Sequence, residues 1–594
     1  MKDITSKNNA ETLTSGSRKK LIRGAFLRLM INNVLILIAT CACGFIDALY
    51  IGRGLGKDAL AAVAFFSPVS VAVGFSYVLI LGTQVLSGNL VGAGETKAVN
   101  RLFVSVFTVM ALLFAAFSAA CLFFSGPLAT LLGANGEAYV QLCDYIRGYA
   151  PGIVPQTLAA LLLALCSFNN DLKRSYFSIA AMIFGNILGD WLMIKSLGLF
   201  GIGLASTISS TASLAILLPG FFKKDKLFHF QTRDGFDFRL VLKAAARGTS
   251  SLMFSIGLII KNYSFNYALN HYTGAAGVAV AGIMASVCAV IGAIPGGVTG
   301  AFSTLGGIYY GEQDKESYLD LMRIALRIGL IICTAAMGVL MLLSAPLSQM
   351  FVPKDEAVRD MARRMFLLAF SFLIPNVFYG LLIQSYRVQD RMLLVNILSV
   401  AENTLIGLFV LVSVKPLGTD AAWLSTTVID TLCIVIVLIS VLYYRKKFDL
   451  SLPALLKLPD GFGAREGEYM TGSALTMEDV RSISEEAVAF CEKNGYSQKT
   501  AFYVGLCIEE MAGNVLEHGF RRAGCRADVR LVSKNSELTI RVRDNCREFD
   551  PRKRIDLFDP EHPEKNVGIR IVAKTARNID YYNSAGINTL IMKY

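Results

Sequence analysis

The chain has 594 residues, 54% of them hydrophobic, and a mean hydropathy of +0.52, which excludes an ordinary soluble protein of this length. Its formal net charge of +12 does not point to nucleic acid, because the excess basic residues cluster in short loops beside apolar runs. Twelve cysteines are scattered without metal-ligand spacing, several inside apolar runs (Cys41, Cys43, Cys121 and Cys433), and read as packing residues.

Residues 1–20 form a polar amino-terminal tail without a cleavable-signal pattern. From Leu21 to Lys447 there follow about twelve apolar runs of roughly 20 residues, the length that crosses a bilayer. They fall into two halves, 21–222 and 242–447, joined by a basic loop at 223–241. VGAGETKA (Val91–Ala98) overlays YYGEQDKES (Tyr309–Ser317), PLATLLGANGEAY (Pro127–Tyr139) overlays PLSQMFVPKDEAV (Pro346–Val358), and LAST (Leu204–Thr207) overlays WLST (Trp423–Thr426). The offset stays near 219 residues. The pattern predicts a polytopic α-helical membrane protein of two six-helix repeats, with a cavity between similar bundles. Arg18, Lys19 and Lys20, Lys173 and Arg174, the loop with Lys223, Lys224, Lys226, Arg233 and Lys243, and Arg445, Lys446 and Lys447 all fall on one face if the chain begins inside. The positive-inside rule makes that face cytoplasmic and places both termini there. Arg359, Arg363 and Arg364 lie on the opposite face and read as an amphipathic lead-in to the tenth span.

Charges inside spans are costly and face water, a partner or a substrate. Asp47 lies late in the first span. Asp190 lies in the fifth, with Asn186 one helical turn before it on the same face. Thr207 is in the sixth, Lys261 in the seventh, and Glu402 and Asn403 in the eleventh. A carboxylate held in a partly dry cavity can take a proton from one side and release it on the other. Lys261 reads first as a partner for an acid, and Glu402 and Asn403 as cavity residues or structural partners.

After a stretch expected to be a linker (448–471), residues 472–594 change to soluble composition with α/β alternation. Helices are predicted at about 477–494, 498–518 and 567–576, a hairpin turning at Lys534 and Asn535, and a closing strand at 589–594. Glu510, Asn514 and His518 share one helical face. An acid there can orient an attacking water, and an amide oxygen can ligate Mg²⁺. Asp544 ends a strand, where it can accept from an adenine amine, and Gly568 opens a helix. There is no GxxxxGK[ST] phosphate loop, so the tail does not resemble the motor of an ATP-driven pump, and no phosphoacceptor helix of a histidine kinase is evident.

Two resemblances follow from these motifs. IDALYIGRGLGKDALAAV (Ile46–Val63), the GAGETKA turn, NILGD and GIGLAST resemble, in order, the multidrug and toxic compound extrusion (MATE) transporters. The resemblance implies two six-helix lobes and antiport of small, cationic or amphipathic substrates driven by H⁺ or Na⁺ through a bacterial-type inner membrane. It also implies a cation site at Asp47, Asn186, Asp190 and Thr207. CIEEMAGNVLEHG, VRDNCREFDP and NVGIRIV resemble the gyrase/histidine-kinase ATPase superfamily, most closely the anti-sigma-factor serine kinases. That implies an α/β sandwich binding ATP and Mg²⁺. Glu510 would be the base, Asn514 the Mg²⁺ ligand, and His518, Asp544, Asn545 and Gly568 nucleotide-box residues. Cys546 and Glu548 depart from the small residues common in that box. The expected arrangement is a transporter in membrane lipid whose tail docks on loops such as Lys223–Lys243. The alternatives are a membrane sensor whose tail phosphorylates a soluble anti-anti-sigma-like protein, and a flippase for lipid intermediates.

Overall fold

The computed structural model describes residues 2–230, 235–353, 355–445, 451–520, 524–534, 537–554 and 567–594. Arg233, Lys446, Lys447, the boundary drawn after residue 447 and the turn at Asn535 lie outside them.

Among the described residues, ten helices are long and apolar enough to cross a membrane. Two glycine breaks bring the number of spans to twelve. The run Leu172–Gly220 has 49 residues. Straight, it would measure about 74 Å, more than twice a hydrocarbon core of roughly 30 Å. Gly198, with φ 57°, turns it back, and Gly189 against Ala205 and Gly185 against Ser209 mark the antiparallel return. Gly274, with φ 64°, breaks the helix Phe238–Ile291 in the same way. Positive φ at both breaks is a conformation that glycine adopts without strain. The limb before Gly274 carries Lys261 and supplies the seventh span. The arginine-rich lead-in is the helix Glu356–Leu368, followed by a tight turn at Ala369–Phe372 and the span Leu373–Val388.

The sequence duplication has a spatial counterpart. Gly88 and Gly307, one repeat offset apart, sit face to face: a Cβ on Gly88 would lie 3.0 Å from the Cα of Gly307, and the converse distance is 3.1 Å. Gly92 and Gly311, related by the same offset, also meet. Such small residues let helices approach backbone to backbone. Asn89 Nδ2 donates to the Val388 carbonyl (3.1 Å) and Gln84 Nε2 to Thr304 Oγ1 (3.0 Å) across the same seam. This is the end of the membrane region that faces the tail, since Gly94, in the next turn, approaches Asp580 and Ile591. The two halves are therefore closed against each other on the tail side.

The tail is one antiparallel sheet in the order β1-β2-β3-β5-β4. Its strands are β1 Tyr469–Ala474, β2 Ala527–Lys534, β3 Glu537–Asp544, β4 Asn578–Ser584 and β5 Ile587–Lys593. Helices Met477–Lys493, Gln498–Asn514 and Val567–Thr575 contribute to its core. Thr476 and Asp479 close a reciprocal capping box on the first of these, and Ser497 caps the second. Strands alternate their faces: Val529, Leu531, Ile540, Val542, Leu590 and Met592 belong to the tail core, while Asp528, Arg530, Arg541 and Arg543 are buried on the other side.

That second face is buried because it docks on the membrane halves. Arg543 pairs with Glu312 and, at 3.0 Å, with Asp314. Arg530 reaches Asp314 at 2.6 Å. The Tyr582 hydroxyl donates to Glu312 (2.9 Å), and the Arg543 guanidinium lies 5.3 Å from the centre of the Tyr309 ring. The β4–β5 turn completes the contact. Ala585 N–H donates to the Ser167 carbonyl of the amino half (3.0 Å). Tyr582 and Ile591 join the hydrophobic core of the amino half, while the Tyr582 hydroxyl reaches Glu312 of the carboxyl half. One hairpin thus packs on both halves. The basic 223–243 loop contributes less. Lys226–Glu548 (3.3 Å) and Lys553–Asp225 (3.9 Å) border a cavity of about 520 Å³, whereas Glu312 and Asp314 form the buried contact.

Two expectations about the tail change. Residues 451–462 are not a free linker. Leu456, Leu458 and Phe462 are buried in the carboxyl-half core, Phe462 stacks on Tyr310 (4.8 Å), and Gln389 and Arg391 donate to the Leu456 and Lys457 carbonyls. Strand β1 begins at Tyr469, so the folded tail starts three residues before residue 472.

Burial alone would raise the Asp314 carboxyl, but Arg530 and Arg543 hold it well below the usual carboxylate range. Burial pushes Asp528 up to about 6, against the pull of Arg543, Arg18 and Arg530. Asp314 therefore favours the docked fold above its unfolded value of 3.8. Asp528 behaves oppositely: its ionisation costs stability progressively as pH rises from 3.8 to about 6. Asp528→Asn is expected to tighten docking at pH 7.5 by roughly 1–3 kcal/mol, with the advantage shrinking as pH falls toward 4. Arg543→Ala leaves the buried Glu312 without its ion pair and is expected to weaken docking by about 3–5 kcal/mol. Proteolysis rates within residues 459–468 of the full-length protein in lipid nanodiscs measure both effects.

Candidate functional site

Three spans of the amino half bring the first site together. Asp47 comes from the long first helix, Asn186 and Asp190 from the limb before Gly198, and Ser206 from the limb after it. Asn186 and Asp190 are buried, at 1% and 0% exposure. The Asp47 carboxyl lies near enough to Asn186 and Asp190 to interact with both. Ser206 Oγ donates to Asp47 Oδ2 at 3.4 Å and accepts from Asn186 Nδ2 at 3.5 Å. Asp47 Oδ1, Asn186 Oδ1 and both Asp190 oxygens have no donor. Four buried acceptors facing inward without a donor fit a proton or a monovalent cation. The set has only two carboxylates, and no cluster of three His, Cys, Asp or Glu exists among the described residues.

Thr207 does not join this set. Its hydroxyl donates to the Gly148 carbonyl at 2.8 Å, with the Tyr149 carbonyl at 3.4 Å, where the neighbouring helix passes through a turn at Ala150–Gly152. Ser206, its neighbour in GIGLAST, faces Asp47 instead. Tyr145 and Tyr149 stand near the acids, and Phe66 packs edge-on against both rings at 5.0 and 5.1 Å. In the carboxyl half, Glu402 and Asn403 are buried. Lys261 is half-buried, close enough to act on Glu402 through space. Asn403 packs against Gly257, one turn before Lys261. The sequence reading missed Asp430, which stands alone in TTVIDTL without a motif.

In the tail, the helix carrying Glu510 and Asn514 ends at Asn514, and Val515–Gly519 is a wider π turn. His518, exposed on that turn, is therefore out of the expected i, i+8 alignment. Asp544 is buried, accepting from Asn588 Nδ2 (2.7 Å) and from the Cys546 N–H (2.8 Å). Asn588 sits directly opposite in the β3–β5 register, a partner that only the sheet pairing reveals. Burial raises the Asp544 carboxyl against those hydrogen bonds. Asn545 is committed elsewhere, accepting from Arg526 N–H (2.8 Å) and donating to the Gly524 carbonyl (3.1 Å). Burial, then Glu509 and Glu517, raise the Glu510 carboxyl. Gly568, in the first turn of its helix, lies so close to Glu510 that a Cβ there would collide with the carboxylate.

Known proteins bear on both regions. The MatE family model matches residues 34–192 and 250–412, and a histidine kinase-like ATPase domain matches residues 474–594. A MOP-superfamily transporter from Pyrococcus furiosus aligns with a TM-score of 0.63 and 21% identity, over 70% of this chain and 94% of that one. A Vibrio cholerae MATE transporter aligns with a TM-score of 0.63 and 15% identity, over 70% and 95%. Both likenesses concern the fold. A curated relative, the FAD transporter of Shewanella oneidensis, is 27% identical over 187 residues, 29% of this chain and 38% of that protein. The chain thus matches well under half of that relative's length.

Gly568→Ala is expected to displace Glu510 and weaken binding of a fluorescent ATP analogue by the full-length protein at least tenfold. Thermal unfolding of the same sample checks that the tail remains folded.

Proposed function

Since the chain belongs to the MatE family of membrane transporters and ends in a histidine kinase-like ATPase domain, we propose that it is an ion-coupled exporter whose tail binds ATP and controls opening of the membrane halves. Its cargo is a small cationic or amphipathic compound, and the coupling ion is H⁺ or Na⁺. The observation that carries the reading is the group of four donor-less buried oxygens on Asp47, Asn186 and Asp190. Such a group is unfavourable when both acids are ionised and empty, and favourable with a proton or cation bound. Its occupancy can therefore bias which side of the molecule is open.

The basic loops support a cytoplasmic tail side, on which reading the seam at Gly88 and Gly307 closes the cytoplasmic side. For that side to open, the two halves must part, and because residues 451–462 tie the tail to the carboxyl half, the β4–β5 hairpin must then leave the amino half. Strand β3 links this step to the nucleotide site. Asp544 lies on the strand face opposite Arg543, and Arg543 faces Glu312 and Asp314. Asp544 would accept from the adenine amine, Asn514 would hold Mg²⁺, and Glu510 would orient a water or hydroxyl nucleophile. When bound, MgATP supplies a polyphosphate charge and, if cleaved, a phosphoryl group.

Asp47→Asn and Asp190→Asn are each expected to reduce ion-gradient-driven ethidium transport in proteoliposomes to the level of empty vesicles. Unchanged transport in both would refute the site. For the tail, Ser167→Cys combined with Ala585→Cys should allow a disulfide that stops transport reversibly. Full transport in the cross-linked protein would refute control by docking.

A further inference from the structure

The carboxyl half contains a second buried acid pair that the amino-half site does not explain. Glu402, on the helix Met392–Leu417, and Asp430, on the helix Thr419–Arg445, have carboxyl groups within hydrogen-bonding reach of each other. Asp430 is 0% exposed and Glu402 8% exposed. Asn376 Nδ2 donates to Asp430 Oδ2 at 3.0 Å, while Asp430 Oδ1 has no donor. The surrounding groups do not supply one. The Tyr379 hydroxyl, which stands near both acids, donates to the Leu398 carbonyl at 3.0 Å. Cys433 lies beside the pair on the same helix as Asp430. Lys261 acts on both carboxyl groups through space from the seventh span.

Two carboxylates in contact inside a low-dielectric environment cannot both stay ionised, and a single lysine neutralises only one of them. We propose that Glu402 and Asp430 form a proton-binding site, holding one shared proton between them opposite Lys261. The pair is not a copy of the amino-half site. The repeat offset carries Glu402 and Asp430 back to Ile183 and Thr211, and carries Asp47 and Asp190 forward to Asn266 and Phe409. Among the described residues, the acid pairs Asp47–Asp190 and Glu402–Asp430 are therefore built from positions unrelated by the repeat.

A hydrophobic carbodiimide tests the site without any transport assay, because it modifies protonated carboxyl groups in apolar surroundings. The full-length protein in liposomes is treated at pH 7.5 and its peptides are read by mass spectrometry. An adduct is expected on Glu402 or Asp430. Asp430→Asn should lower labelling of Glu402 at least tenfold at that pH, because Lys261 then holds the remaining carboxylate ionised, and labelling should return on acidification. Lys261→Met in the Asp430→Asn background should restore it at pH 7.5. Asp47→Asn should leave the adduct unchanged, so the two acid pairs are tested separately. Absence of an adduct while Asp190 is labelled would overturn the proposal, as would undiminished Glu402 labelling in Asp430→Asn. Protection by Na⁺ at constant pH would replace the proton with a metal cation and likewise overturn it.

Discussion

A carboxylate removed from water must be neutralised, and this constraint organises the whole molecule. Among the buried acids, two solutions are seen. Where the tail meets the membrane halves, Glu312 and Asp314 are met by Arg543 and Arg530, fixed cations on a rigid sheet. Within the spans, Asp47 and Asp190 are left with oxygens that no protein donor reaches. The first solution makes a permanent joint. The second leaves acceptors that a proton or cation would satisfy, which is what the proposed coupling of ion movement to conformational change requires.

The same distinction explains the division of labour within β3. A two-residue strand period puts Asp544 and Arg543 on opposite faces, so one strand carries both a candidate nucleotide contact and the joint to the transporter. The joint is shared between the halves through the hairpin at Ala585 and Gly586. Its backbone bonds to Ser167 of the amino half, and the Tyr582 hydroxyl donates to Glu312 of the carboxyl half. A domain anchored to one half alone would ride passively. One seated across the seam opposes the separation of Gly88 from Gly307.

Much of this was legible in the sequence. The constant repeat offset implied two similar bundles, and it also names the residues that meet at their seam, Gly88 with Gly307 and Gly92 with Gly311. The acids Asp47 and Asp190 and the amide Asn186 were readable because charge inside a span is rare. Ser206 was not, because a one-residue step around a helix decides which hydroxyl faces Asp47, and the glycine turn at Gly198 sets that rotation. Asp430 was missed because its meaning comes from Glu402, which is neighbouring only in space. The docking face was missed for a different reason. Alternating Asp528 and Arg530, or Arg541 and Arg543, look like a solvated sheet surface until the acids in GEQDKE are placed opposite them. The helix face through Glu510, Asn514 and His518 was read too long, because the π turn after Asn514 leaves no mark in hydrophobic spacing.

The central claim is that ion pairing between the tail and the acidic turn helps hold the membrane halves together on the tail side. It is tested most directly by double electron–electron resonance between spin labels at Lys173→Cys and Gln313→Cys, in full-length protein whose other reactive cysteines have been replaced. With Arg543 intact the account predicts one short distance, and with Arg543→Ala a second, longer population. Identical distance distributions in the two proteins would contradict it.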